Sequence, residues 1–562
     1  MTTWVKIVHL ESFKRLTNLP RAPRFLLTMV FPILLSASNL SAQRYTAMLD
    51  LSGRSAGADH PRLRPSQLEA FVDSTFAQKM RRDHIPGAVF VLVKDGQIVL
   101  EKGYGFADLE ARTSVEPRRT RFRVASVSKL FTSVAVMQLV EQGKLDLDRD
   151  IDDYLGTFKI RNPYPNPITL RNLLSHSGGF DQEFRGRHAA RRQDVLPLRE
   201  YVRRYQPDVI FPPGKFMRYS NYGIALAGYL VERTSGEPFA DYVKRHIFAP
   251  LKMAHSSFTQ QGFDKADFAR GYLYKDARWK PVGTRYTNVV PGGAMAATGH
   301  DIANFLLACL NGGRLGDTQV LEEKTLRQMW QRQASVHPDM PGWCLGFYER
   351  FTFGRRAVMH TGNTIGYTSV LYLLPEEHLG FFLALNANDT RFGDEFIREF
   401  HAHYFGARAR PIRPVPATAR HAEAVQGTYR LNLYPLHRLE KFANLQSSFE
   451  VRVEAESDGA ITVRAPGQQR RYVEVGRLLY ESDGGEDFVA FHTDSKGHVT
   501  HMLVEWDKPF TLERLAWYDK LPFQRLLRNG FLLFFAGSLF ILPLSLRRRK
   551  RAQLSKMWKV AL

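Results

Sequence analysis

From Ser126 to Gln142 the chain is apolar nearly all round the helical cycle, in the run Ser126-Val-Ser-Lys129-Leu-Phe-Thr-Ser-Val-Ala-Val-Met-Gln-Leu-Val-Glu-Gln142. A helix without a polar face has to be buried on every side. Gly143 is its natural stop. The chain must therefore build a body thick enough to enclose this helix. Its 562 residues, 44% hydrophobic and 24% charged, supply an ample globular core. Domains usually hold about 100–200 residues, so two or three folded units are expected.

The segments flanking that helix read as a mixed α/β (α+β) body. A helix begins near Ser66, with Glu69 three residues on as a capping box. Gly87–Val93 and Ile98–Gly103 alternate as strands, and Lys94-Asp-Gly-Gln97 joins them, since Asp-Gly accepts positive φ. Helical patterns recur at Asn221–Thr234, Pro238–Ile247 and Asp301–Leu310. Strand-like runs return at Trp343–Tyr348, Ala357–His360, Thr368–Leu374 and Gly380–Leu385. Strands at both ends with helices between imply a sheet closed by distant segments. This body is expected over 65–408. Pro411-Ile-Arg-Pro-Val-Pro416 marks a stiff linker, 409–418. Beyond it, the alternating runs Gly427–Arg430, Phe449–Val453, Ala460–Arg464, Leu478–Tyr480, Phe488–Phe491 and Thr500–Val504, separated by turns, predict a small antiparallel β domain over 419–520.

The ends read as targeting segments. Lys6, Lys14, Arg15, Arg21 and Arg24 precede the apolar run Phe25–Leu35, and small residues follow to Ala42. That order predicts a signal peptide over 1–42 and a loose leader over 43–64. Near the other end, Phe531–Leu546 carries no charge and is slightly short of the ~20 residues of a usual span. With Asn529 and Gly530 it predicts a transmembrane helix over 529–546. The cluster Arg547-Arg-Arg-Lys-Arg551 then predicts a cytoplasmic tail over 547–562 and an exported catalytic body.

The net charge of +22 is spread along the chain. No Arg-rich helix interleaved with aromatics occurs, so no nucleic-acid partner is expected. Two cysteines, Cys309 and Cys344, cannot make a structural zinc site, and they read as buried apolar residues.

The chemistry points to Phe122-Arg-Val-Ala-Ser126-Val-Ser-Lys129. A serine hydroxyl holds its proton tightly and needs a base nearby. Positions three apart on a helix share a face, so Ser126 and Lys129 can touch. Lys129 can act as base only if burial or nearby positive charge lowers its pKa. Two further motifs belong with this pair. Tyr219-Ser-Asn221 puts a phenol and an amide two apart before a helix. His360-Thr361-Gly362-Asn363 ends a strand, where Gly362 permits close backbone approach and the Asn363 amide can face a substrate oxygen.

In this order the three motifs resemble the serine β-lactamase and penicillin-binding protein superfamily, whose motifs are Ser-x-x-Lys, Ser-Asp-Asn and Lys-Thr-Gly. Tyr219-Ser-Asn221 is similar to the class C β-lactamase-like branch, and His360-Thr-Gly362 to DD-carboxypeptidase-like members of it. Leu173-Leu-Ser-His176-Ser-Gly-Gly-Phe180, Pro250–Met253 and Pro291–Thr298 belong to the same likeness, which spans about 65–405. The resemblance implies an antiparallel sheet flanked by helices, a mostly helical lobe, and a site between them. It implies that Ser126 is acylated, that Lys129 and Tyr219 share the proton work, and that Asn221 orients substrate. It implies an oxyanion hole from the amides of Ser126 and Asn363, with His360, Thr361 and Gly362 lining the site. A histidine in place of lysine weakens the positive charge for a substrate carboxylate, which argues against efficient β-lactam hydrolysis.

Other motifs carry less. Gly53-Arg-Ser-Ala-Gly57 has the nucleophile-elbow pattern, but no strand precedes it. His401-Ala-His403 reads as a surface helix end, and Arg185–Arg204 as a solvated face. No metal and no cofactor are expected. The chain reads as a serine hydrolase acting through an acyl-enzyme on a small peptide, amide or ester outside the cytoplasm. D-amino-acid peptides of the cell wall are the first candidate. A penicillin-binding sensor that stays acylated, or an esterase, is the alternative.

Overall fold

The computed structural model describes residues 65–560, except 264, 336, 338, 408–414, 416–418, 438, 446–448, 484–486 and 507. The signal peptide and leader expected over 1–64, the Gly53–Gly57 pattern, and most of the Pro-rich linker lie outside the described residues.

Alternating side chains build the central sheet. Strands β1 (Gly87–Lys94), β2 (Gln97–Asp108), β3 (Thr113–Ser114), β4 (Tyr348–Thr352), β5 (Arg355–Thr364), β6 (Tyr367–Leu374) and β7 (Leu379–Leu385) pair antiparallel in the order β4-β5-β6-β7-β1-β2-β3. The Asp95-Gly96 turn has φ of 49° and 78°, as its sequence predicts. In β1, Phe90 and Leu92 face one layer, made by α1 (Pro65–Arg82) and α5 (Thr390–Phe405), through Val72, Phe76, Phe396 and Phe400. Val89, Val91 and Val93 face the other layer, which holds α2 (Ser128–Glu141), α3 (Asn221–Ser235) and α4 (Gly299–Leu310). The strand period of two thus sorts one strand between two cores. Helix α1 begins at Pro65, so Ser66 lies inside it and does not cap it. Helix α2 is buried from Ser128 to Leu139, which accounts for its lack of a polar face.

Trp343–Tyr348 is not a strand, contrary to its apolar pattern. Gly346 has φ of 87° and its N–H donates to Leu174 O, so the chain reverses there before β4 begins. His401 is fully buried and its Nε2 lies 2.9 Å from Tyr372 Oη, so it is a core residue and not a surface one. Cys309 and Cys344 are buried and unbridged.

The following domain is a closed eight-stranded barrel. Its strands are β8 (Gly427–Leu431), β9 (Glu450–Ala455), β10 (Ile461–Ala465), β11 (Gln468–Gly476), β12 (Leu479–Ser482), β13 (Phe488–Thr493), β14 (Val499–Glu505) and β15 (Pro509–Arg514), with β8 pairing back onto β15. It docks through a buried polar lock. Arg218 of the body, 0% exposed, donates to Asp181 Oδ1 at 2.8 Å and to Tyr434 O at 2.6 Å. Asp181 in turn accepts the Leu436 and His437 N–H groups of the β8–β9 loop at 3.1 and 2.9 Å. Asn432 Nδ2 donates to Met217 O at 2.9 Å. Replacing one partner of such a pair strands the other charge, at a cost of about 3–5 kcal/mol. Arg218→Met is therefore expected to lower the denaturant midpoint of the full chain by a matching amount. Arg218→Met combined with Asp181→Leu should recover part of it. An unchanged midpoint in the single variant would remove the lock.

Residues Leu521–Val560 form one helix, α6. The transmembrane helix expected over 529–546, and with it the membrane partnership, is not supported. Among the described residues no helix is long and apolar enough to cross a membrane. Arg528 and Arg547 bracket the uncharged run closely at both ends. Phe534 and Leu533 on it are 70% and 74% exposed, and the side chains at 540–544 and 546 lie outside the described residues.

Candidate active site

Ser126 sits in a one-turn 3-10 segment, Ala125–Val127, that runs straight into α2. Ala125 takes φ of 47°, an uncommon conformation for a residue with a Cβ, so the turn is sharp. Two side chains hold its shape from outside. Ser128 Oγ donates to Ala125 O at 2.5 Å, and Ser369 Oγ on β6 donates to Val124 O at 2.8 Å.

Lys129 lies one turn deeper and is fully buried. Its Nζ is 2.9 Å from Ser126 Oγ and donates to Gly292 O at 2.5 Å. Burial pushes its ammonium well below the ordinary lysine range, and the positive charges of Arg187 and Lys508 push it further. A neutral amine keeps one lone pair, and here that lone pair can face the serine proton. Tyr219 Oη stands on the serine's other side, also at 2.9 Å from Oγ, with its ring 5.1 Å from Lys129 Nζ. Burial raises the Tyr219 phenol above its usual range, with the Ser126 hydrogen bond and Arg187 opposing. The phenol therefore stays protonated at neutral pH and can donate.

Ser220 caps α3 by accepting the Gly223 N–H at 3.0 Å, which fixes Tyr219 just outside the helix and Asn221 as its first residue. Asn221 adjoins Gly292. A Cβ on Gly292 would stand 3.6 Å from both the Asn221 carbonyl oxygen and Lys129 Nζ. Gln182 Nε2 holds Tyr219 O at 2.6 Å, and His176 Nδ1 accepts the Ser220 N–H at 3.2 Å.

The opposite wall is the end of β5. Strand β4 pairs with β5 only as far as Met359, so from His360 onward the serine turn occupies that edge. A Cβ on Gly362 would lie 2.2 Å from Val124 O and 3.2 Å from the Ser126 nitrogen. Only glycine allows this approach. Asn363 follows, exposed, its Oδ1 accepting from Thr368 Oγ1 at 3.1 Å. His360 is buried and donates Nδ1–H to Thr361 O at 2.7 Å. Burial drives its imidazole well below the usual range, with Lys129 and Lys508 adding to this, so it is neutral. Thr361 Oγ1 accepts from Tyr348 Oη at 3.2 Å and lies 3.5 Å from Lys508 Nζ.

The eight residues singled out in the sequence thus gather around Ser126, Asn221 through its backbone beside Gly292. Four neighbours were not singled out there as site groups. Trp343 packs its ring at 4.5 Å from His176 and 5.5 Å from Tyr219. His176 is buried and, by burial first and the nearby cations second, neutral. Arg187, hidden in the basic 185–204 stretch, turns inward, while Arg191, Arg199 and Arg204 are exposed. Lys508 comes from the barrel. The only one with a sequence signal is His176, inside Leu173–Phe180. Among the described residues, no group of three or more His, Cys, Asp or Glu is placed to hold a metal.

A family model described as Beta-lactamase matches residues 72–404. "Protein flp" of Staphylococcus aureus (strain MW2) is 24% identical over 322 residues, 56% of this chain. The chain spans 63% of that relative's length. A protein of Escherichia coli O157:H7 described as "Putative D-alanyl-D-alanine carboxypeptidase" is 26% identical over 402 residues, 64% of this chain and 90% of the other. The octameric penicillin-binding protein homologue from Pyrococcus abyssi superposes with a TM-score of 0.52 at 22% identity, over 80% of this chain and 99% of its own. At that identity the likeness concerns the fold alone.

Proposed function

Because this chain belongs to the Beta-lactamase family, we propose that it is a serine hydrolase, that Ser126 is its nucleophile and that it cleaves peptide, amide or ester substrates through an acyl-enzyme. One observation carries the reading: a buried Lys129 amine and the Tyr219 phenol both lie 2.9 Å from Ser126 Oγ.

In acylation, Ser126 Oγ bonds to the substrate carbonyl carbon and its proton passes to Lys129 Nζ. The carbonyl oxygen becomes an oxyanion between the N–H groups of Ser126 and Asn363, the two backbones that Gly362 brings together. The bond to the leaving nitrogen or oxygen then breaks, and the leaving atom takes its proton from Tyr219, which Lys129 resupplies. In deacylation, water adds to the ester carbon, gives its proton back through the same pair, and Ser126 leaves as the hydroxyl. Asn221 orients the acyl group beside Gly292.

For substrate, D-amino-acid peptides of the cell wall are the favoured class, supported by the description of the E. coli relative. We read the body as acting outside the cytoplasm, on the basic, apolar, small order of residues 1–42. The full chain should take a fluorophosphonate at Ser126, located by peptide mass, and turn over at least one of a panel of D-Ala-D-Ala peptides, D-amino-acid amides and short-chain esters. Labelling that survives Ser126→Ala would refute the assignment. Stoichiometric acylation without turnover would replace the hydrolytic reading with a sensing one.

A further inference from the structure

The barrel reaches into the cleft. Where β14 ends and β15 begins, Glu505, Trp506 and Pro509 are tied to the body at three points. The Phe351 N–H donates to buried Glu505 at 3.3 Å, Arg350 donates to Trp506 O at 3.4 Å, and Trp343 Nε1 donates to Pro509 O at 3.2 Å. Trp343 is the ring that packs on His176 and Tyr219. Trp343 therefore belongs both to the site and to the frame that fixes this barrel segment, so a side chain on the segment is held in place. That side chain is Lys508. Its Nζ lies 3.5 Å from Thr361 Oγ1 and 5.8 Å from the centroid of the Tyr219 ring, whose hydroxyl touches Ser126 Oγ.

Positive charge is concentrated near Ser126. Lys129 feels Arg187 and Lys508, and both His176 and His360 feel Lys129 and Lys508. The cations that act on Lys129 are thus the barrel's Lys508 and the Arg187 guanidinium. Thr361 Oγ accepts from Tyr348 and has its own proton left to give. An ammonium and a hydroxyl beside each other make a two-point site for a carboxylate, and charge-assisted hydrogen bonds of this kind are the strong ones.

We propose that Lys508, delivered by the barrel and paired with Thr361, binds a carboxylate of the substrate beside the bond that Ser126 cleaves. This rests on the acyl-transfer reading above and narrows its substrate class to acyl compounds with a carboxylate on the leaving side, such as peptides with a free C-terminus. The barrel is then a specificity element of the active site.

The test uses the full chain and two thioesters of the same acyl-D-alanine. One has thioglycolate as leaving group, which carries a carboxylate, and the other has its methyl ester. The unmodified chain should prefer the carboxylate in kcat/KM. Lys508→Met should reduce that preference about 10- to 100-fold, the weight of one hydrogen bond to a charged group, mainly through KM. Lys508→Arg should restore most of it. A preference that moves less than threefold in Lys508→Met, or an unmodified chain that favours the methyl ester, would overturn the proposal. Fluorophosphonate labelling of Ser126 in every variant separates these failures from failure of the acyl-transfer reading, which would show as no labelling in the unmodified chain.

Discussion

Lys129→Met is expected to lower kcat/KM by about 10²–10⁴-fold, the usual weight of a positioned general base. The side chain is close in volume to lysine, and its methyl group would occupy the space that Nζ fills between Ser126 Oγ and Gly292 O. Packing is therefore nearly conserved and the proton acceptor is lost. Because Ser126 and Lys129 act as one unit, Ser126→Ala combined with Lys129→Met should be no worse than Ser126→Ala alone. The sign of the pH dependence follows from the same amine. The reaction needs Lys129 neutral, so kcat/KM should rise as pH passes upward through its lowered pKa. The groups facing it are Arg187, Lys508, His176, His360 and Tyr219. Removing the charge of Arg187 or Lys508 lets that pKa climb, and the acidic limb should move to higher pH. A limb that stays in place in Arg187→Met and Lys508→Met would show that another group controls it. Activity within threefold of normal in Lys129→Met would end the case for a lysine base.

Gly362→Val should be nearly as damaging without touching a titratable group. Its first added carbon would fall 2.2 Å from Val124 O and 2.4 Å from Ser369 Oγ, far inside contact distance. Those two atoms hydrogen-bond each other and hold the serine turn. Either the turn moves or the end of β5 does, and each carries one amide of the proposed oxyanion hole. Displacement of about 1 Å can cost 10²-fold, and loss of one donor about 10²–10³-fold, so a fall of at least about 10²-fold in kcat is expected. Thermal unfolding of the variant should remain cooperative, since β5 is paired with β6 from Val358 to Thr364. Full activity would mean that the two backbones are not in contact during turnover.

The body was legible where pattern and packing agree. Strand β1 alternates because it sits between two cores, and α2 has no polar face because it has no solvent face. The barrel was legible as β, but two strands escaped. In β11, Gln468-Gln-Arg-Arg-Tyr-Val-Glu-Val-Gly476, the inward positions include Tyr472 and Glu474, so polarity hides the period. Strand β15 opens on Pro509, which demotes a run to loop on paper. Trp343–Tyr348 failed the other way: its apolar pattern is that of a buried turn around Gly346, where a Cβ would meet Ser133 Oγ at 2.2 Å. The eight site residues were readable because three short motifs carry them. Lys508 and Arg187 were not, since a lone lysine in a turn of another domain, or one arginine among many, has no local signature. Their roles come from tertiary placement.

The sheet order has a cost during biosynthesis. The apolar strand Gly87–Lys94 is among the first segments of the body to emerge, yet one of its two neighbours is Leu379–Leu385, nearly the last. Until that strand arrives, one side of Gly-Ala-Val-Phe-Val-Leu-Val stays an open template for foreign chains. Ribosomal stalling or proteolytic nicking before Leu379 should therefore yield insoluble fragments and not partly active ones.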